Sequence, residues 1–220
     1  AWASGGALNT ARHYSGAGGT QTAAIVVGGL PAPARGTETY DGSSWTEILD
    51  PNTPRDAAPG AGTQTSLLYY GGNPSALTEL WNGSTWTEKN DLNTARGLAS
   101  GFGISTAAIL AGGSAPSPYV ALVEQWDATS WTEVGDLNDA RIESAGCGVV
   151  TAGLVFGGRI PTTANTETWD GTSWTEVANL TTATSQQAGF GTSTAALSAG
   201  GSPYTPSTMK WNGTSWTEVN

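Results

Sequence analysis

The sequence predicts an all-β fold, a five-bladed β-propeller with four antiparallel strands in each blade. Three observations predict it. A Trp-Thr-Glu tripeptide occurs five times, a Gly-Gly pair at the end of an apolar run occurs five times, and the two alternate along the 220 residues at intervals of 41 to 45. A period of this length indicates a repeated supersecondary unit that cannot bury its apolar faces alone and must pack against its neighbours.

Each repeat divides into four short β segments. The innermost segment is predicted around a Gly-x-Gly core, at 16–18, 60–62, 101–103, 146–148 and 189–191. The second is the apolar run before the double glycine, whose second members are Gly29, Gly72, Gly113, Gly158 and Gly201. The third ends on an aromatic residue, and the fourth contains the repeated tryptophan, at Trp45, Trp86, Trp131, Trp174 and Trp216. No segment shows a sustained 3.6-residue apolar period, so no helix is predicted.

The turn between the third and fourth segments predicts a hairpin. Four repeats carry Asp-Gly or Asn-Gly there, and the third repeat carries Asp127-Ala128. Asp-Gly and Asn-Gly favour tight hairpins because these residues accept positive φ. The third repeat therefore has the weakest turn signal.

A ring of blades is favoured over a stacked solenoid, because four antiparallel strands per repeat is the blade pattern and paired indoles can fill the wedge between blades. The prediction is one domain over 1–220, with repeats near 9–49, 50–90, 91–135, 136–178 and 179–220. Residues 1–8 are assigned to an N-terminal strand at the ring junction. Trp2 stands at a fourth-strand position, either as a clasp on the last blade or as the residue of a sixth blade; we expect a closed five-bladed ring.

The repeat resembles a kelch repeat. In both, an apolar run, Gly-Gly, a variable loop and an aromatic residue before Asp or Asn precede a tryptophan, and an arginine follows ten residues later. These arginines are Arg12, Arg55, Arg96 and Arg141, and Thr184 replaces the fifth. The departures are a shorter hairpin turn and a period near 43, against about 50 in kelch. The resemblance implies a kelch-like propeller that binds through one loop face.

The residue pattern of the repeats shows a second resemblance. Gly-Thr-Ser-Trp-Thr-Glu-Val, and Asp-Leu-Asn-x-Ala-Arg after it, are similar to repeat proteins of marine bacteriophages, especially cyanophages. That similarity implies a virion appendage.

Length variation is confined to one loop of the repeat. In every repeat, the second glycine of the pair lies 17 residues after the arginine position, which Thr184 occupies in the fifth repeat. The distance from that glycine to the repeated tryptophan instead ranges from 14 to 18 residues. The variable loops at 30–36, 73–77, 114–121, 159–165 and 202–207 all contain proline. They are expected on the same face as the linkers between blades, and recognition is often located in loops on a rigid scaffold.

Four side chains in these loops are candidate ligand contacts: Tyr119, Tyr204, Arg35 and Arg159. Tyrosine and arginine combine contact area with directional hydrogen bonds, and tyrosine can stack on a sugar ring. Two alternatives remain open. The loops can vary by drift, since surface insertions carry little penalty, and each tyrosine can pack on the prolines of its own loop.

The linker arginines have two interpretations. They can form a ring of donors for a carboxylate or glycan, or each can bond backbone carbonyls or an acid of a neighbouring blade. The structural interpretation is favoured because a residue repeated at fixed spacing usually serves the repeat. Glutamates also repeat on strands three and four; we interpret them as edge charges that oppose strand pairing, with calcium at the rim as the minor alternative.

Catalytic and metal-binding constellations are largely missing from the sequence. His13 is the only histidine, and Cys147, the only cysteine, stands at an inner-strand position where a small buried apolar residue is expected. We therefore expect a protein that is not an enzyme and that needs no metal and no cofactor.

Charge restricts the partners. The net charge is −10, no Lys/Arg cluster is present and no apolar stretch approaches the length of a membrane span, so neither nucleic acid binding nor membrane insertion is expected. The leading hypothesis is a non-enzymatic recognition or structural module of a phage-type fibre, knob or other extracellular appendage. It would be extracellular or virion-associated and would bind a cell-surface protein, a glycan or neighbouring structural subunits. The alternatives are a secreted or surface lectin and, third, a glycan-processing enzyme.

Overall fold

A computed structural model describes residues 5–31, 36–115, 119–159, 161–204 and 206–219, which contain twenty β-strands. Blade 1 holds β1 (Gly16–Thr20), β2 (Ala23–Val27), β3 (Thr37–Tyr40) and β4 (Trp45–Ile48). Blade 2 holds β5 (Gly60–Thr63), β6 (Ser66–Tyr70), β7 (Thr78–Trp81) and β8 (Trp86–Glu88). Blade 3 holds β9 (Ser100–Ile104), β10 (Ala107–Ala111), β11 (Val123–Trp126) and β12 (Trp131–Glu133). Blade 4 holds β13 (Ala145–Val149), β14 (Ala152–Phe156), β15 (Thr166–Trp169) and β16 (Trp174–Val177). Blade 5 holds β17 (Ala188–Thr192), β18 (Ala195–Ala199), β19 (Thr208–Trp211) and β20 (Trp216–Val219).

Each blade is a separate four-stranded antiparallel sheet in which the strands follow one another in chain order. The first strands of successive blades contact one another, β1 with β5, β5 with β9, β9 with β13 and β13 with β17, so the first strands surround the axis. The five sheets form a ring, and the described residues include no helix. This architecture confirms the predicted five-bladed propeller.

The inner strand of blade 1 is aligned one residue later than the sequence pattern suggested. Ala17 pairs with Val26, which lies three residues before Gly29, the second glycine of blade 1. Gly60 pairs with Tyr69, which lies three residues before Gly72, the second glycine of blade 2. The equivalent of the Gly60-Ala61-Gly62 segment is therefore 17–19, not 16–18. Positive φ values agree, since Gly19 and Gly62 adopt 104° and 135°. The misassignment arose because Gly16, Gly18 and Gly19 offer two Gly-x-Gly alignments that only strand pairing separates.

The second glycine of each pair turns the chain back towards the linker that precedes the blade. In all five blades its φ lies between 95° and 124°. A Cβ on Gly29 would lie 2.6 Å from the carbonyl oxygen of His13, so a side chain has no room there. The next residue, Leu30, forms a β-bridge with His13, and Arg159 forms the equivalent bridge with Ile142. The variable loop is thereby attached to the linker beside the axis.

Apolar cores lie between blades. Four clusters of buried side chains join blade 1 to 2, 2 to 3, 3 to 4 and 4 to 5. The fourth-strand tryptophans contribute to them: Trp131 lies 4.9 Å from the Tyr70 ring of the preceding blade, and Trp216 lies 4.8 Å from the Phe156 ring. Trp86 and Trp174 are also buried in such clusters. The large indole area fills the space between diverging blades.

The junction of blade 5 with blade 1 differs from the other four. Trp45 is only half-buried, and no comparable cluster of buried apolar side chains joins these two blades within the described ranges. Phe190 of blade 5 is 43% exposed, whereas Phe102, at the same position of blade 3, is 5% exposed. Among the described residues, the side chains at this junction are therefore more exposed than their counterparts in the other blades.

Residues Gly6 to Asn9 follow the path that linkers take after an outer strand. Trp45 Nε1 donates to the carbonyl oxygen of Gly6 at 3.0 Å, as Trp86 Nε1 donates to Leu49 at 2.9 Å. Asn9 Nδ2 donates to the Trp45 carbonyl at 2.9 Å. Trp2 lies outside the described residues, so the clasp and the sixth-blade interpretations both stay predictions.

Candidate binding site at the axial mouth

One linker residue in every blade adopts the left-handed conformation at the mouth of the axis. It lies two residues after the repeated arginine position, and the five φ values fall between 53° and 59°. We call these residues the collar: Tyr14, Ala57, Leu98, Glu143 and Gln186. Non-glycine residues seldom adopt positive φ, and such backbone strain concentrates at functional sites. Its recurrence in all five blades makes it a property of the linker turn.

Hydrogen bonds connect the collar residues into a chain around the axis. The amide of Ala57 donates to the carbonyl of Tyr14 at 2.8 Å, that of Leu98 to Ala57 at 3.1 Å, that of Glu143 to Leu98 at 2.8 Å, and that of Gln186 to Glu143 at 2.9 Å. Between the last and first members, Gln186 Nε2 donates to the Tyr14 hydroxyl at 2.9 Å. The backbone of the collar is therefore fixed blade to blade, while its side chains differ.

The collar surrounds an open cavity of about 780 Å³. This volume falls within the usual range for small-ligand sites, roughly 300–1,000 Å³. Its lining has two halves of different character. Blades 2 and 3 supply an apolar wall: Ala57, Ala58, Pro59, Leu98 and Ala99. Blades 4, 5 and 1 supply a polar and aromatic wall: Glu143, Ser144, Gln186, Gln187, Tyr204, His13, Tyr14 and Ser15.

The polar wall contains two buried oxygen atoms without a hydrogen bond in the described part of the chain, Glu143 Oε2 and Gln187 Oε1. The Glu143 side chain is only 6% exposed, and its Oε2 lies 3.6 Å from Nη1 of Arg159, which is too long for a hydrogen bond. The side-chain amide of Gln187 is held in place by its nitrogen, because Nε2 donates to the Phe156 carbonyl at 2.8 Å. Neither oxygen has a hydrogen-bond donor among the described residues.

Aromatic side chains complete the polar wall. Tyr14 is 39% exposed, and its ring lies 5.1 Å from that of His13. Partial burial, with the negative charge of Glu143 as the next contribution, raises the pKa of the Tyr14 hydroxyl above its usual value. The phenol is therefore neutral at physiological pH and can donate a hydrogen bond. Tyr204 projects freely into solvent at the edge of the cavity.

The four predicted ligand contacts do not all meet. Tyr204 lines the cavity, and Arg159 lies beside Glu143 at its rim. Tyr119 is bridged to Ser114 in its own loop and does not line the cavity. Arg35 lies outside the described residues. Two of the four candidates are thus brought to one place.

Sequence reasoning missed Tyr14, Glu143, Gln186 and Gln187. For the first three a signal was present: two residues after the repeated arginine position, five chemically unrelated side chains stand in a segment of constant length. A comparison of loop lengths alone does not detect such a position, because its segment has the same length in every repeat. Its importance depends on knowing that the five linkers meet around one axis.

The linker arginines lie beneath this face and are not exposed on it. Arg55 Nη1 lies 2.8 Å from Glu79 Oε1, and Nη2 donates to the Tyr69 carbonyl at 2.8 Å. The same buried pair joins Arg12 to Glu38, Arg96 to Glu124 and Arg141 to Glu167. Backbone carbonyls or an acid of a neighbouring blade are the partners that the sequence predicts. The arginines do bond carbonyls, but the acid belongs to the third strand of their own blade. Burial lowers the pKa of Arg55, although the charge of Glu79 opposes this shift.

These carboxylates also hold the linker backbone. Glu79 Oε2 accepts from the amide of Asn52 at 2.7 Å, and Glu38 Oε2 accepts from Asn9 at the same distance. Burial tends to raise the pKa of Glu38, but the amides of Asn9 and Thr10 and the charge of Arg12 hold it below its ordinary value. The strand-three glutamates are therefore internal counter-ions. Their interpretation as edge charges is wrong, whereas the strand-four glutamates, such as Glu88, are exposed.

Blade 5 lacks both members of the pair. Thr184 stands where the other blades have arginine, and Met209 stands where they have the strand-three glutamate. Thr181 replaces the asparagine, and its hydroxyl lies 3.1 Å from Met209 Sδ. A lone buried charge is strongly unfavourable, so replacing both partners together is the change that the fold tolerates.

Cys147 is a buried member of the core between blades 4 and 5. Burial raises the pKa of its thiol to about 12, so it is protonated at physiological pH. In the described ranges no group of three or more His, Cys, Asp and Glu side chains is arranged to hold a metal ion, and no helix is long and apolar enough to cross a membrane.

Comparison with known proteins adds no family to this description: no protein-family model matches the chain, and no curated protein is detectably similar to it. What the chain shares with known proteins is its architecture. A five-bladed propeller is commonly a binding or protein-interaction module, and the residues at the axial mouth must carry any more specific argument.

Proposed function

We propose that this chain is a non-enzymatic recognition module that binds its partner through the linker face, centred on the axial mouth. One observation carries the proposal. At a backbone position that is equivalent in five blades, the collar presents Tyr, Ala, Leu, Glu and Gln. The scaffold repeats and the collar side chains do not, as is typical of a binding surface on a rigid support.

We further propose that the module belongs to a phage-type fibre, a knob or another extracellular appendage, and that its blades are compact kelch repeats. This proposal is supported by the residue pattern and spacing of the repeats, and by the position of the cavity on the loop face. The partner would be a cell-surface protein or glycan, or a neighbouring subunit of the appendage. The net charge of −10 favours neither nucleic acid nor an anionic membrane as a partner.

A matched pair of substitutions tests which face binds. Leu98 belongs to the collar and Ile104 ends β9 at the opposite mouth, where it is 52% exposed. Leu98→Glu introduces a residue that the collar already accepts at Glu143, and Ile104→Glu makes the same change of charge at the other end of the strand. We expect labelled protein to bind a panel of marine bacterial cells, Leu98→Glu to lose binding, and Ile104→Glu to retain it. Equal loss, or loss by Ile104→Glu alone, contradicts the proposed face.

A glycan array separates the two binding hypotheses. Binding to cells without recognition of simple sugars supports the appendage, whereas a defined sugar ligand supports the lectin. Tyr14 and Tyr204 line one cavity, and Arg159 lies beside Glu143 of its wall. This arrangement favours keeping the lectin as the second candidate, because aromatic rings stack on sugars and arginine donates to hydroxyls. Hydrolysis of sialosides or polysaccharides would contradict the non-enzymatic proposal.

A further inference from the structure

The unsatisfied groups at the axial mouth restrict the chemistry of its ligand. Glu143 Oε2 and Gln187 Oε1 are both hydrogen-bond acceptors, and both belong to side chains that are more than nine-tenths buried. A buried acceptor without a donor is unfavourable, because it has lost its hydrogen bond to water and gained none in the protein. A ligand that supplies N–H or O–H groups at these atoms would recover that free energy.

The charge at the mouth opposes an anion. Glu143 places a carboxylate within the cavity wall, and the whole chain carries −10. Arg159 is the nearby cation, but it makes no hydrogen bond to Glu143 Oε2 at 3.6 Å and its side chain is 56% exposed. Solvent screens an exposed partner of this kind, so Arg159 satisfies the buried carboxylate only in part.

The rest of the lining suits an alkyl chain that ends in a cation. Ala57 and Leu98 form an apolar wall that can cover methylene groups, and the Tyr14 and Tyr204 rings can face a cationic end group. A primary ammonium group has three donors and no acceptor, which matches a site whose unsatisfied atoms are two acceptors.

We propose that the axial mouth binds a primary ammonium group on an alkyl stem, as in a lysine side chain of a protein partner, with Glu143 as its counter-ion. This inference rests on the proposed function, because it assumes that the linker face binds. It adds that Arg159 competes with the ligand for Glu143. An amino sugar carries the same ammonium group and is the other source to be separated by experiment.

Pairs of probes that differ only by acetylation test the charge requirement. NMR titration of the protein compares the binding of Nα-acetyl-lysine methylamide, whose ε-amine is free, with that of its Nε-acetylated form. The same titration compares glucosamine with N-acetylglucosamine. We expect the lysine probe to bind at least tenfold more tightly than its acetylated form and to shift signals of the collar. A preference for glucosamine over the lysine probe would assign the site to an amino sugar and overturn the lysine source. Equal binding of each acetylated and free form would overturn the whole inference.

Two substitutions give opposite expectations. Glu143→Gln preserves side-chain size and should weaken binding of the lysine probe at least tenfold. Arg159→Ala removes an exposed side chain and should strengthen binding severalfold, because it frees the carboxylate; weaker binding would show that Arg159 contacts the ligand and would overturn the proposed competition. Ile104→Ala at the opposite mouth is the matched control and should change nothing.

Failure of this inference is distinguishable from failure of the proposed function. If Leu98→Glu abolishes cell binding while none of the amine probes binds, the face is correct and the ligand class is wrong. If neither cells nor probes bind, both are wrong. Thermal unfolding of Glu143→Gln shows whether that variant is folded, and the test with Arg159→Ala does not depend on it.

Discussion

At the scale of single residues, the hairpin turns at the outer edge of the blades are built on one repeated interaction. Asp41 Oδ1 accepts from the backbone amides of Ser43 and Ser44, both at 2.8 Å, and Asn82 Oδ1 does the same for Ser84 and Thr85 at 2.9 Å. The residue after the Asp or Asn adopts positive φ in every blade, from 77° at Ala128 to 97° at Gly42. Ala128 is the one member that is not glycine.

Replacing Ala128 with glycine should stabilise the protein. Alanine is strained at φ 77°, and glycine adopts this region without penalty. The gain is reduced by the greater freedom of glycine in the unfolded chain, so we expect about 0.5–1 kcal/mol in urea unfolding. Gly171→Ala, at the same position of blade 4, is the reverse control and should destabilise by a similar amount. A neutral or destabilising effect of Ala128→Gly would contradict this account of the turn.

The same turns predict part of the acid sensitivity of the fold. Hydrogen bonds from Ser43 and Ser44 lower the pKa of Asp41 to about 2, and bonds from Thr172 and Ser173 lower that of Asp170 to about 2, against an ordinary value of 3.8. A carboxyl whose pKa is lower in the folded state stabilises that state above its unfolded pKa and loses this contribution as pH falls through its folded pKa. The contribution of these turns should therefore disappear between about pH 4 and pH 2.

The double variant Asp41→Asn and Asp170→Asn tests this expectation. Asn82 and Asn212 already form the same turn, so asparagine should preserve the hydrogen bonds without titrating. The variant should lose less stability than the natural chain when urea unfolding is compared at pH 5 and pH 2. Equal losses would show that these two carboxyls do not contribute.

At the scale of elements, the buried arginine–glutamate pair ties each linker to the third strand of its blade. The guanidinium bonds a strand carbonyl as well as the carboxylate, and the carboxylate also accepts from linker amides. This arrangement positions the collar residue that follows two positions later. The natural absence of the pair from blade 5 shows that Thr and Met together can replace it.

A double-mutant cycle on blade 2 tests the coupling. Arg55→Thr alone leaves the carboxylate of Glu79 buried without its counter-ion, which should destabilise by about 3–5 kcal/mol. Adding Glu79→Met reproduces the combination found at Thr184 and Met209, and the double variant should be more stable than Arg55→Thr alone. Urea unfolding of the four proteins measures the coupling. A double variant as unstable as the sum of the single changes would contradict it.

At the scale of the whole molecule, the five junctions between blades are not equivalent. Four contain a cluster of buried apolar side chains, whereas the described residues form no such cluster between blade 5 and blade 1. The collar shows the same difference, because backbone amides connect its first four steps and a side-chain bond joins Gln186 to Tyr14. On the packing of the described residues, we therefore expect the lowest local stability where the ring closes.

Substitution of two phenylalanines at equivalent positions can measure the difference in stability between these junctions. Phe102 is 5% exposed between blades 3 and 4, and Phe190 is 43% exposed at the junction of blades 5 and 1. Phe102→Ala should destabilise by about 3–5 kcal/mol because it leaves a cavity in a closed core. Phe190→Ala should destabilise clearly less in the same urea unfolding experiment. Equal effects would indicate a closed core at the fifth junction.

The sequence by itself determined the number of blades, the four strands in each and the outer turns, because those features depend on local periodicity and on residues that accept positive φ. Strand pairing was needed to align 17–19 with the other inner strands, since three nearby glycines permit two alignments. The candidate site was only partly predictable. Arg159 and Tyr204 were found in variable loops, whereas Tyr14, Glu143, Gln186 and Gln187 meet through closure of the ring.

Only the tertiary structure decided which repeated residues are internal and which face the axis. Arg55 and Glu79 are 24 positions apart and pair because the linker crosses the third strand of the same blade. Tyr14 and Gln186 are 172 positions apart and meet because five blades close a ring. Contacts of this kind depend on how the repeats are arranged around the axis, and one repeat read alone contains no information about which of its neighbours it faces.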